Sequence, residues 1–140
     1  MTDKRDQTVA SLLRRMAPKL DPGLYAYTVL APDTAPPDGL TPLMTCREAE
    51  GLTLVLPLDQ AQTAGLATRF PCRLITLTVH SELDAVGFIA AIAPELARHG
   101  ISCNVIAGYH HDHLLVPQER AQDAMAVLQT LSDTNSIDEA

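Results

Sequence analysis

The stretch 105–117, VIAGYHHDHLLVP, gathers three of the chain's five histidines with Tyr109 and Asp112. Residues of these types could do one of three things. Side chains at i and i+2 share one face of a strand, so His111 and His113 have the spacing of a His-x-His pair for zinc or nickel. A third ligand would come from His80, His99, a carboxylate or another chain. Alternatively, His110, His111 or His113 rims a small-molecule pocket. The third reading is a polar turn between two buried strands, for which Asp112 is a favoured residue type.

A second cluster lies upstream. Ser81, Glu82, Leu83, Asp84, Ala85, Val86 and Gly87 join the end of a predicted strand to the start of a predicted helix. Backbone N–H groups at a helix start lack partners and the helix dipole favours negative charge, so a carboxylate, such as that of a free amino acid, would fit there. Gly87 admits a close approach, and Ser81 or Asp84 could cap. An ordinary cap that binds nothing is the competing reading. Asn104, on the strand before the histidine stretch, could hydrogen-bond a ligand or face solvent or a partner. Catalysis finds little support. Ser81 with a histidine would need an oxyanion hole and an orienting acid, and no nucleophile-elbow, Walker or HExxH spacing occurs. We read a non-enzymatic chain with no cofactor.

The elements that must position these residues follow from periodicity. Val9, Leu12, Leu13 and Met16 predict a helix over 8–17, stopped by Pro18. LYAYTVL is a strand, and 31–39 is a loop because four of its nine residues are Pro or Gly. Residues 43–47 and 52–58 form a hairpin turning at 48–51, and Asp59 caps a short helix. CRLITLTV alternates, with Ile75, Leu77 and Val79 facing one way and Thr76 and Thr78 the other. A helix is predicted from Asp84 to His99, with Val86, Ile89, Ala93 and Leu96 as its stripe, a kink or restart at Pro94 and Gly100 as its terminator. ISCNVIA and HLLVP are strands, and Pro117 opens a last helix buried through Ala121, Ala124, Met125, Leu128 and Leu131. The second half thus reads βαββα, a ferredoxin-like unit short of its final strand. One of the three predicted strands of the first half is expected to complete it.

Bulk properties bound the function. The 140 residues suffice for one compact unit or two very small ones sharing a core. A net charge of −7 repels phosphate backbones, so no nucleic-acid partner is expected. No apolar run approaches a membrane span and no signal peptide is read, and with the cysteine usage a cytoplasmic protein is expected. Cys46, Cys72 and Cys103 make neither a disulfide framework nor a CxxC knuckle and are read as reduced and mostly buried.

The segments REAEGLTLVLP, SELDAVGF and GISCNVIAGYHHDHLLVP resemble the ACT domain, a small regulatory ligand-binding module. The whole chain is similar to small bacterial tandem ACT-domain proteins of uncertain function. That resemblance implies an α+β ferredoxin-like ACT fold, with an antiparallel sheet and helices on one face. It divides the chain into an ACT-like half over 1–70 (αβββα), an ACT domain over 71–134 (βαββα) and a frayed tail over 135–140. It implies pairing of ACT units, a homodimer, and a small-molecule ligand, often an amino acid, at an ACT–ACT interface. Leu54 and Leu56 could supply the pairing surface. Asp112 resembles the hairpin aspartate that pairs with a ligand amine in related sensors. The candidate ligand site is then Ser81 to Gly87, Asn104, Asp112 and His113. ACT pockets often carry proline before this glycine; here the residue is Val86. The rivals are a metal-responsive module using His111 and His113, and a purely structural dimerisation domain.

Overall fold

Over residues 7–137, which the computed structural model describes, the order of elements is α1 (Val9–Arg15), β1 (Pro18–Leu20), β2 (Tyr25–Leu30), β3 (Met44–Glu48), β4 (Gly51–Pro57), α2 (Leu58–Thr63), β5 (Arg69–Leu77), α3 (Phe88–Arg98), β6 (Asn104–Ala107), β7 (Asp112–Pro117), a 3₁₀ turn (Gln118–Arg120) and α4 (Ala121–Ile137). The chain forms two compact units. One holds the residues up to Asp21 and from Leu74 onward; the other is Pro22–Arg73. The first helix and β1 thus lie in the unit that holds the C-terminal segments. No helix among the described residues is long and apolar enough to cross a membrane.

The Pro22–Arg73 unit orders its strands β3-β4-β2-β5. Antiparallel ladders join β2 to β4 and β3 to β4 over their whole lengths. In a ferredoxin-like βαββαβ unit a helix would follow the first strand. Here Pro32, Pro36 and Pro37 deny it the needed backbone donors, and an exposed loop runs to β3 instead. Leu30, Leu54, Leu56 and Ala61 form the core beneath α2. Leu54 and Leu56 are fully buried there, so they are not available as a pairing surface. Pro57, not Asp59, stands at the start of α2; the Asp59 carboxylate accepts from the Gln60 N–H, inside the first turn.

The second unit contains the predicted βαββα run. Its strands lie in the order β5-β7-β6, and β1 pairs antiparallel with β5, Pro18 opposite Leu77 and Leu20 opposite Ile75. This unit is thus closed by a three-residue strand just beyond the predicted helix over 8–17, a stretch to which the sequence pattern assigns no element. Two further bonds extend the pairing: the Thr78 N–H donates to the Met16 carbonyl at 2.7 Å and the Asp21 N–H to the Leu74 carbonyl at 2.9 Å. Ile75, Leu77 and Val79, with Leu114 and Val116 of β7, pack against α1, α3 and α4 in one core. All three helices therefore share one face. Fully burying a side chain such as Ile92 or Leu96 contributes roughly 1.5–3 kcal/mol.

The ends of the helices differ from expectation in two places. α3 begins at Phe88 rather than Asp84, because Gly87 takes a left-handed conformation (φ 100°) that breaks the helical run before it. Its buried stripe is Phe88, Ile92 and Leu96, while Val86 is left 87% exposed. The helix is continuous through Pro94. It closes as predicted at Gly100 (φ 69°), whose N–H donates to Ala97 O while the Ile101 N–H reaches back to Leu96 O. The tail expected to fray is helical to Ile137. The Thr130, Thr134 and Asn135 side chains donate to carbonyls one turn back, and the buried Ser132 hydroxyl donates to the Arg14 carbonyl of α1 at 2.9 Å. Residues 138–140 lie outside the described ones.

Candidate functional site

The loop 81–87 follows β5 after the short segment 78–80 and leads into α3. Three contacts hold its first residues. The Ser81 N–H donates to the His110 carbonyl at 3.2 Å, and the Ser81 hydroxyl donates to Asp112 Oδ2 at 3.2 Å. The Gln7 side chain bridges the segment, donating to the His80 carbonyl and accepting from the Glu82 N–H at 2.9 Å. Ser81 is buried. Neither Ser81 nor Asp84 caps α3, contrary to expectation; the residue at its start is Gly87, which has no side chain to offer. The first helical bond runs from the Ala91 N–H to the Gly87 carbonyl. The N–H groups of Phe88, Ile89 and Ala90 consequently have no acceptor within the helix.

Phe88, Ile89 and Ala90 line a cavity of about 190 Å³. Of the residues expected at a ligand site, Ser81, Glu82, Leu83, Ala85, Gly87 and Asp112 line it. Asp84, Val86, Asn104 and His113 do not. Asn104 is exposed on β6, opposite Leu115. The sequence reading missed Phe88, Ile89, Ala90, Ala107 and Gly108, which complete the lining. A glycine standing directly before the apolar run FIAAIA, with no Ser, Thr, Asp or Asn beside it, was the available signal for the first three.

The hairpin that carries Asp112 is tight. Ala107 pairs with Asp112, and the Gly108 N–H donates to the His111 carbonyl at 2.8 Å. Asp112 is thus the first residue of β7 rather than a turn residue. A side chain on Gly108 would meet the His111 carbonyl at 2.9 Å and the His113 ring at 3.1 Å. His113 Nδ1 shares a hydrogen bond with Thr76 Oγ1 at 2.9 Å, and His111 Nδ1–H donates to the Val79 carbonyl at 3.2 Å. Burial holds the His113 imidazole below its ordinary pKa; the nearby His111 adds to the shift and Asp112 opposes it. The rings of His111 and His113 lie 6.4 Å apart, centroid to centroid. Among the described residues no group of three or more His, Cys, Asp or Glu side chains is placed to hold a metal ion.

A larger groove of about 430 Å³ lies along α4. Its polar groups already serve one another: Arg120 donates to Asp123 and to the His99 and Gly100 carbonyls. The cysteines offer no chemistry here. Burial pushes the Cys72 and Cys103 thiols up to about 11, and Cys46 is exposed.

These two units have the strand order of an α+β ferredoxin-like fold, and family comparison agrees. ACT-domain models match residues 6–73 and 69–130. A structure of a protein of unknown function from Vibrio cholerae, described as a possible transport protein, is 50% identical over 88% of this chain and 94% of that one, with a TM-score of 0.79. The chain belongs to the same family, and it consists of two ACT domains in tandem. A protein from Agrobacterium tumefaciens shares the fold at 21% identity and a TM-score of 0.70, covering 82% of this chain and 87% of that one. The ligand-free regulatory subunit of aspartate kinase from Thermus thermophilus shares it at 12% identity and a TM-score of 0.63, covering 81% of this chain and 95% of that one. No curated protein matches the chain. ACT domains are regulatory rather than catalytic modules.

Proposed function

We propose that this chain is a non-enzymatic regulatory protein that binds a free amino acid, or a similar small zwitterion, in the cavity between loop 81–87 and Asp112. The observation that carries this reading is that the first residues of α3, which lacks a side-chain cap, line the same cavity as the Asp112 carboxylate. The N–H groups of Phe88, Ile89 and Ala90, with the dipole of an eleven-residue helix behind them, take the ligand carboxylate. Asp112 takes the ammonium group, its second oxygen being left over by the bond from Ser81. Glu82 and Leu83 stand on the rim. Binding in the cytoplasm is consistent with three free cysteines. A homodimer is consistent with the large apolar side chains left exposed around the cavity, Leu83, Val86 and Tyr109. The ligand would bias assembly or partner contact by binding one state better than another.

A metal-responsive reading is weaker, because the Nδ1 atoms of both His111 and His113 are already engaged. The test is a thermal-shift screen of the purified protein against the protein amino acids, with and without EDTA, beside a set of divalent metals. A ligand at a hundred times its Kd adds about 2.7 kcal/mol, a shift of several degrees in a chain of this size. A hit that survives EDTA and is lost in Asp112→Ala supports the proposal. Silence across the amino acids sinks it, and a response to metals alone transfers the argument to the histidines.

A further inference from the structure

Among the described residues, one backbone hydrogen bond lies wholly within loop 81–87: the Ala85 N–H donates to the Glu82 carbonyl at 3.0 Å and closes a turn with Leu83 and Asp84 exposed at its tip. Two residues at the entry to α1 hold this loop near its two ends. Gln7 stands just before Thr8, whose side chain caps α1. The Gln7 amide donates from Nε2 to the His80 carbonyl at 3.2 Å and accepts at Oε1 from the Glu82 N–H at 2.9 Å, across 73 and 75 positions of sequence. Val9, the first residue of α1, lies so close to Gly87 that a β-carbon on that glycine would come within 2.9 Å of Val9 Cγ2. The support is itself anchored. Leu12 and Leu13 of α1 are buried in the core, and the Ser132 hydroxyl of α4 donates to the Arg14 carbonyl.

We propose that Gln7 is a positioning residue of the cavity: by bridging His80 and Glu82 it sets the turn 82–85, and with it the wall made by Ser81, Glu82, Leu83 and Ala85. The position asks for glutamine. One end of the side chain must accept from a backbone N–H while the other donates to a carbonyl two residues earlier, and a primary amide does both without charge. A carboxylate of the same length accepts but cannot donate, and an alkyl chain does neither. Val9 then fixes where the loop meets α3, because it fills the space that a side chain on residue 87 would take. A segment with so few backbone bonds of its own opens locally at small cost once one of them is lost. A loop held ready in its binding shape gives tighter binding, because its ordering is complete beforehand. Where only a fraction of molecules holds that shape, apparent affinity falls by the same fraction. This consequence for affinity rests on the ligand reading above; the positioning of the loop does not.

The experiment needs no ligand. Amide hydrogen exchange, read by two-dimensional NMR, would compare the full-length protein with Gln7→Ala and Gln7→Glu. In Gln7→Ala the Glu82 and Ala85 amides should exchange about fivefold faster or more, the ratio that corresponds to the net worth of one hydrogen bond, and by a larger factor than the amides of β7. The chemical shifts of Phe88, Ile89 and Ala90 should move with them, while those of β7 beyond Asp112 stay in place. Gln7→Glu keeps the acceptor and should return most of the protection to Glu82. An unchanged Glu82 amide in Gln7→Ala overturns the proposal. So does a speeding of loop and β7 amides by one common factor, which would mean that Gln7 only stabilises the unit as a whole. Exchange as fast in Gln7→Glu as in Gln7→Ala would show that the bond to Glu82 is not what holds the turn. Silence in the amino-acid screen would remove the ligand and leave these exchange rates as they stand.

Discussion

The hydroxyl of Ser81 donates to Oδ2 of Asp112 at 3.2 Å, tying the loop before α3 to the first residue of β7 across 31 positions of sequence. This bond fixes where the carboxylate stands relative to the uncapped start of α3. Asp112→Asn keeps the size of the side chain and removes the charge. We expect it to abolish the amino-acid-induced thermal shift while changing the stability of the free protein by only about 1 kcal/mol, the net worth of one hydrogen bond. Thermal melts with and without ligand measure both quantities. A variant that still responds fully to ligand would remove Asp112 from the site.

Gly87 sets the start of α3. Its φ of 100° suits glycine, and a β-carbon there would come within 2.9 Å of Val9 Cγ2. Gly87→Ala is expected to cost about 1–3 kcal/mol from backbone strain and crowding. In the double variant with Val9→Ala only the crowding is relieved. Denaturant midpoints of the single and double variants separate the two terms; an unchanged midpoint in Gly87→Ala would mean the loop is not held as described.

His113 makes stability depend on pH. Burial first, and His111 second, hold its folded pKa below the ordinary value, with Asp112 opposing. The unfolded chain therefore takes up the proton first as the pH drops. Stability is full above the ordinary histidine range and is lost as the pH falls through that range toward the folded pKa. Urea denaturation at about pH 7.5 and 5.5 should show the loss, and His113→Gln should reduce it. An identical pH dependence in the variant would place the proton uptake elsewhere.

Ser132 ties the last helix to the first. It is buried, and its hydroxyl donates to the Arg14 carbonyl. Ser132→Ala removes that hydrogen bond and should cost about 1 kcal/mol. Were 132–137 frayed, the change would be silent.

The three thiols should react unequally. Cys46 is exposed, while burial raises Cys72 and Cys103 to about 11. A thiol reagent at neutral pH should modify Cys46 quickly in the folded protein and the other two only on unfolding. Rapid modification of all three would show that the cores around Cys72 and Cys103 open readily.

Much of the fold was legible because its signals are local. Period-two alternation marks β2 and β5, Gly100 closes α3 through a left-handed turn, and the prolines of 31–39 forbid a helix whatever surrounds them. Asp112 and Gly87 could be singled out from residue type and from the resemblance to ACT domains. Other features depended on partners distant in sequence. β1 has three residues and no readable period; it is a strand only because Ile75, Thr76 and Leu77 present an edge to it. Leu54 and Leu56 suited a pairing surface by pattern, and α2 with Leu30 buries them. The polar tail is helical because Ser132 finds a carbonyl on α1 and because threonine and asparagine bond back along their own helix. The histidines carried no instruction in their spacing alone: folding brings His80, some thirty residues upstream, against His110 and His111. Sequence by itself thus determined where this chain can turn, pleat and coil. Only the tertiary structure decided which backbone donors and which carboxylate share a cavity, since that is set by long-range pairing that local preference does not encode.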